Sequence, residues 1–95
     1  MTIVHGIRSL GVIGAGQMGT GIAMVAALRA KVPVLLHDTS KEQVNKGLAF
    51  VERLLEKDIA KGRINNDEAQ DARDRISTVD RVSGLKDVDL VVEVN

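Results

Sequence analysis

Val12-Ile13-Gly14-Ala15-Gly16-Gln17-Met18-Gly19-Thr20-Gly21-Ile22-Ala23 decides how the rest of this 95-residue chain is read. The apolar run that precedes the glycines, Ile7 to Ile13, predicts a buried strand, and the residues from Gln17 to about Ala30 predict a helix. Met18, Ile22, Val25 and Leu28 recur in steps of three and four, which draws one apolar stripe along that helix. Gly-x-Gly-x-x-Gly by itself is a weak signal, but between a strand and a helix each glycine acquires a task. Gly14 permits a tight turn, Gly16 lets backbone approach a diphosphate with no Cβ in the way, and Gly19 lets the helix press against the strand. The amides of Gln17 and Met18 then point at the phosphates, where unpaired N–H groups and the helix dipole both favour negative charge. Three glycines so spaced would otherwise weaken turn and helix for no return. Gly14, Ala15, Gly16, Gln17, Met18 and Gly19 are therefore the candidate phosphate cradle.

Downstream, Val32-Pro33-Val34-Leu35-Leu36 reads as a second strand that ends at His37-Asp38. Asp38 lies nineteen residues after Gly19, at the strand tip where the acid that binds the adenosine ribose hydroxyls is expected. A carboxylate there repels a 2′-phosphate, and Thr39 and Ser40 follow with no arginine, so NAD is favoured over NADP; Lys41 is the one nearby cation that argues the other way. Thr39 with Glu42, or Ser40 with Gln43, has the capping-box spacing. Val44, Leu48, Val51, Leu55 and Ile59 then continue one helical face to Gly62, about 30 Å of helix and too long for a compact crossover. Asn65-Asn66-Asp67 predicts a turn and cap, and Ala69, Ala72 and Ile76 a weaker helical stripe. Helix, turn and helix make a hairpin arm over about residues 40–76. Ile76 to Val79 predicts a short third strand, Asp80 to Asp87 a loop with a turn at Ser83-Gly84, and Asp89 to Val94 a fourth strand. The fold class is α/β: a Rossmann-type parallel sheet of about four strands, with the arm inserted between strands two and three.

Composition removes other functions. Thirteen basic residues against thirteen acidic ones and a single Phe, with no Tyr or Trp, leave neither positive surface nor stacking faces for nucleic acid. No cysteine means no disulfide framework and no thiolate metal site. The apolar runs are too short to span a membrane, and Met1 to Arg8 carries no targeting pattern, which points to the cytoplasm. The two histidines form no metal set: His5 precedes the first strand and His37 reads as a strand-end side chain at the adenosine end. The carboxylates are scattered with no acid–base pair, so no catalytic residue is assigned; Glu93, closing the fourth strand, is the one acid where a role near the cofactor is expected. Glu52, Arg53, Glu56, Lys57 and Lys61 read as a solvated helix face.

The residues resemble the NAD-dependent L-3-hydroxyacyl-CoA dehydrogenases, including the 3-hydroxybutyryl-CoA dehydrogenases. The likeness rests on Val12 to Ala23, Leu36-His37-Asp38, Leu54-Leu55-Glu56-Lys57 through Lys61-Gly62-Arg63-Ile64, and Asp89-Leu90-Val91-Val92-Glu93, nearly the whole chain. It implies oxidation of the 3-hydroxyl of an acyl-CoA to a ketone with hydride passing to NAD. It also implies that Lys61 touches the CoA, that the full-length protein is a homodimer, and that the catalytic histidine and its acidic partner lie beyond Asn95. Mitochondrial or peroxisomal placement also occurs among such enzymes.

A parallel sheet needs both faces covered, and no helix follows Leu90 to Val94, so an incomplete dinucleotide-binding domain, inactive by itself, is expected. Two other readings stay open. A hydroxyisobutyrate-type dehydrogenase would have a compact crossover in place of the arm. A non-catalytic nucleotide-binding or self-associating module would bury its exposed sheet against a partner.

Overall fold

The structure, a computed structural model, describes residues 7–94. β1 (Leu10–Ile13) is the centre from which the sheet grows, because parallel neighbours take both of its edges: β2 (Val34–His37) on one side and β4 (Leu90–Glu93) on the other. β3 (Ile76–Thr78) pairs with the outer edge of β2, which gives the order β3-β2-β1-β4. Leu10 aligns with Val34 and Leu90, and Ile13 with His37 and Glu93, so β1, β2 and β4 end at one level. β1 starts later than the expected Ile7 because its partners begin only at Val34 and Leu90.

α1 (Gln17–Val25) runs into a π-helical turn, Ala26–Ala30. It buries Gly19, Thr20 and Ala23, with Ala27 and Leu28 following in the π turn; of the expected stripe Leu28 is buried and Ile22 packs against the core, whereas Met18 is 68% and Val25 58% exposed. Small residues win this face because the helix axis lies close to the sheet, and larger side chains are pushed to the rim. The π turn widens the last carbonyls, and the Arg75 guanidinium donates to the Ala27 carbonyl at 3.1 Å.

α2 (Lys41–Ala60) starts at Ser40, whose hydroxyl accepts the Gln43 amide at 3.1 Å, so Ser40 rather than Thr39 is the cap. After the helix, Gly62 turns left-handed at φ 73°, and α3 (Asn66–Arg75) begins at a reciprocal Asn65–Glu68 capping box. The two helices fold down rather than project. Val51, Leu55, Ile64, Ala69 and Ala72 join Val12, Ala23, Ala27, Val34 and Leu36 in one core. Arg73 Nε lies 2.6 Å from Glu52 Oε2 and ties α3 to α2.

From β3 the chain crosses to the far edge through a 3₁₀ turn, Val82–Leu85. Leu85 is buried against the other face at Gly11, where a Cβ would sit 3.1 Å from the Leu85 and Val88 side chains. β4 is the barest strand, with Leu90 43% and Val91 44% exposed. Among the described residues no helix is long and apolar enough to cross a membrane.

Candidate nucleotide-binding site

The site forms where β1 and β2 end together. Gly14 leaves β1 at φ 113°, a conformation L side chains rarely adopt, and a Cβ there would run into the Val94 carbonyl. Its amide donates to the His37 carbonyl at 2.7 Å and carries the strand pairing one residue into the turn. Gly19 closes the turn from the helix side, where a Cβ would fall on the Gly14 carbonyl oxygen. Gly16 differs from both. A Cβ on it would meet only the Gln43 side-chain nitrogen at 3.6 Å, so its backbone faces an open cleft.

Gly16 is also the N-cap of α1, and it supplies no side-chain acceptor. The first turn holds no acidic residue either, whereas α2 and α3 are capped by Ser40 and Asn65. The first-turn amides of α1, Gln17 and Met18 among them, are thus left to an outside acceptor, and the helix dipole favours an anionic one.

Asp38 sits at the rim, one residue past β2. One carboxylate oxygen accepts the Ala15 amide at 2.9 Å and the other the Ser40 amide at 2.9 Å. The Ala15 bond, then the Ser40 bond, hold its pKa below the ordinary carboxylate value; partial burial opposes them, and the adjacent His37 lowers it slightly further. Each oxygen keeps a second lone-pair direction for a ligand hydroxyl. Ala15, expected among the cradle residues, spends its amide on Asp38 and thereby fixes the acid against the glycine turn.

Gly14, Gly16, Gly19, Asp38, Gln43 and Val94 border a cleft of about 250 Å³. Beside it, Gln43, Lys46, Phe50 and Arg53 line a second cleft of about 200 Å³. Gln43, named in the sequence only for its capping-box spacing, and Gly47, which also borders the second cleft, were not expected as site residues. A Cβ on Gly47 would come within 2.5 Å of the Thr20 side chain and 2.7 Å of the Ala15 carbonyl, so its bareness lets α2 close on the turn. A glycine inside a long amphipathic helix was the available signal. A larger cavity of about 610 Å³ between Ile22, Val25, Val32 and Leu90 is lined almost wholly by apolar side chains and offers nothing to a charged dinucleotide.

Other expected residues lie elsewhere. Lys61 is the exposed C-cap of α2, about 21 Å along the helix from Gly47 at 1.5 Å per residue. His37 is buried, with Nδ1 3.1 Å from the Val79 carbonyl, and so pins the segment after β3. Glu93 is exposed at the end of β4 opposite Ile13, and His5 lies outside the described residues. Among the described residues no three His, Cys, Asp or Glu side chains gather as a metal site.

The open backbone at Gly16, the uncapped α1 and the fixed carboxylate suit a diphosphate joined to a ribose, and similarity agrees. Residues 9–95 match the family described as 3-hydroxyacyl-CoA dehydrogenase, NAD binding domain. The 3-hydroxybutyryl-CoA dehydrogenase of Bradyrhizobium diazoefficiens is 40% identical over 87 residues, 92% of this chain and 29% of that protein. The fatty acid oxidation complex subunit alpha of Idiomarina loihiensis is 34% identical over 92% of this chain and 12% of its own length. The crystal structure of (S)-3-hydroxybutyryl-CoA dehydrogenase PaaH1 from Ralstonia eutropha superposes with a TM-score of 0.88 at 35% identity, covering 93% of this chain and 31% of that one. The chain therefore spans less than a third of the length of these relatives. With its four-stranded parallel sheet and glycine turn, the chain belongs to the 3-hydroxyacyl-CoA dehydrogenase family and carries sequence of its NAD-binding domain.

Proposed function

We propose that this chain holds the adenosine and diphosphate half of NAD for a dehydrogenase that oxidises the 3-hydroxyl of an acyl-CoA to a ketone. NAD supplies the hydride acceptor. The chain's own residues bind and orient it: first-turn amides of α1 take the diphosphate over Gly16, and Asp38 takes the adenosine ribose hydroxyls. The observation that carries this reading is the 2.9 Å bond from the Ala15 amide to Asp38, which locks the ribose acid to the phosphate turn at one spacing. A fixed carboxylate at that spot repels a 2′-phosphate and selects NAD over NADP.

Lys61, at the exposed end of α2, is proposed to meet the CoA, at a distance from the nucleotide cleft that separates substrate from adenosine. A homodimeric, cytoplasmic enzyme is proposed as the full-length form. The 95 residues by themselves are proposed to bind without turnover. His37 is tied to Val79, and among the described residues no other histidine is available to work as a base beside the glycine turn.

Calorimetry of the purified chain with NAD and NADP, beside an assay of acetoacetyl-CoA reduction by NADH, tests this. NAD should bind at least tenfold more tightly than NADP, a difference of about 1.4 kcal/mol, with no consumption of NADH. Equal affinity for the two would remove Asp38 from its role, and measurable turnover would place a working acid–base group within these residues.

A further inference from the structure

Gln43 sits between the two polar clefts and lines both. Its position follows from Gly47, one turn later on α2. Because Gly47 lets the helix approach the Ala15 carbonyl, the residue four places earlier is carried over Gly16, where its side-chain nitrogen lies 3.6 Å from the point a Cβ would occupy. The Gln43 backbone amide is committed to the Ser40 cap, but its side-chain amide has no hydrogen-bond partner among the described residues. A half-buried primary amide aimed across bare backbone is an unused donor at the place where the diphosphate is expected. Behind it stand Lys46, paired with Glu42 at 3.2 Å, and Arg53, 5.6 Å from the Phe50 ring centroid, so Arg53 is the cation of that wall without a salt-bridge partner among the described residues.

We propose that Gln43 is a diphosphate-binding residue, closing the cofactor cleft from the α2 side opposite the first-turn amides of α1. The inference rests on the NAD reading of the cleft and adds a contact that the glycine signature does not contain. Bound between two helices, the diphosphate couples α2 to α1, so cofactor occupancy and the seating of the long helix become linked.

The test is a ligand ladder of adenosine, ADP and ADP-ribose, titrated by NMR or calorimetry into the wild-type chain, Gln43→Leu and Gln43→Lys. Leucine keeps size and helix propensity and removes the donor. Gln43→Leu should weaken ADP and ADP-ribose about tenfold, the loss expected for a hydrogen bond to a charged group, and adenosine less than twofold. Gln43→Lys should bind ADP at least as tightly as wild type. An equal loss on adenosine and ADP would show a merely structural role, and no loss on either would remove Gln43 from the site; both results overturn the proposal. Failure of the wild-type chain to bind any of the three would instead bring down the NAD reading, and this inference with it.

Discussion

Gly19→Ala is expected to unfold much of the chain or to shift its urea midpoint more than any surface substitution. The added Cβ would coincide with the Gly14 carbonyl oxygen, a backbone atom that no rotamer change can move aside. Relief requires either opening the glycine turn, whose amide at Gly14 holds the His37 carbonyl at 2.7 Å, or lifting α1 from the sheet. Lifting α1 would uncover Ala23, Ala27 and Val12, all fully buried. A loss of about 3 kcal/mol or more follows, a large share of the roughly 5–15 kcal/mol that a small domain has. Gly21→Ala is the control two residues away, since a Cβ there meets nothing within 4 Å and should improve helix propensity. Equilibrium urea unfolding followed by far-UV circular dichroism reads both.

Asp38→Asn is expected to cost both binding and acid-dependent stability. The carboxylate accepts two backbone amides, one per oxygen, and an asparagine can accept only one of them while turning an NH2 group toward the other. Because those bonds hold the carboxyl below its ordinary value, the folded state prefers the ionised form. The stabilisation is fully present above the unfolded-state value, about 3.9, and fades as pH falls through the lower folded value. The wild-type stability curve should therefore fall in that acid window, and Asp38→Asn should flatten it while lowering stability at pH 7. NAD affinity should drop at least tenfold, and the preference for NAD over NADP should shrink because the repelling charge has gone. An unchanged acid limb in the variant would mean that Asp38 is not ionised in the fold as its bonds indicate.

The shape of the glycine turn and the position of Asp38 at a strand tip were legible in the sequence because each answers a local requirement. Positive φ at Gly14 and the absent Cβ at Gly19 admit one residue type, and the acid belongs at the tip of the next strand. α2 was legible because its apolar period runs from Val44 to Ile59 without a break. The buried face of α1 was legible only in part: Ile22 and Leu28 do pack on the core, but the apolar pattern also favours Met18 and Val25, whereas packing close to a sheet selects Gly19, Ala23 and Ala27. The π turn at Ala26–Ala30 is tied to Arg75, forty-eight residues away, and no local pattern reports such a partner. Gln43 was hidden for the same reason: only the approach of α2 at Gly47 puts it above Gly16. The arm's packing into the common core was likewise invisible, since its small buried residues Ala69 and Ala72 carry little periodic signal.

The most direct measurement is an NMR titration of the isotopically labelled 95-residue chain with ADP-ribose. The amide resonances of Gly16, Gln17, Met18 and Gly19 should shift together with those of Asp38 and Ser40, while those around Leu90 and Lys61 stay still. Shifts confined to the apolar cavity beside β4, or none in the glycine turn at saturating ligand, would contradict the placement of the cofactor at the start of α1.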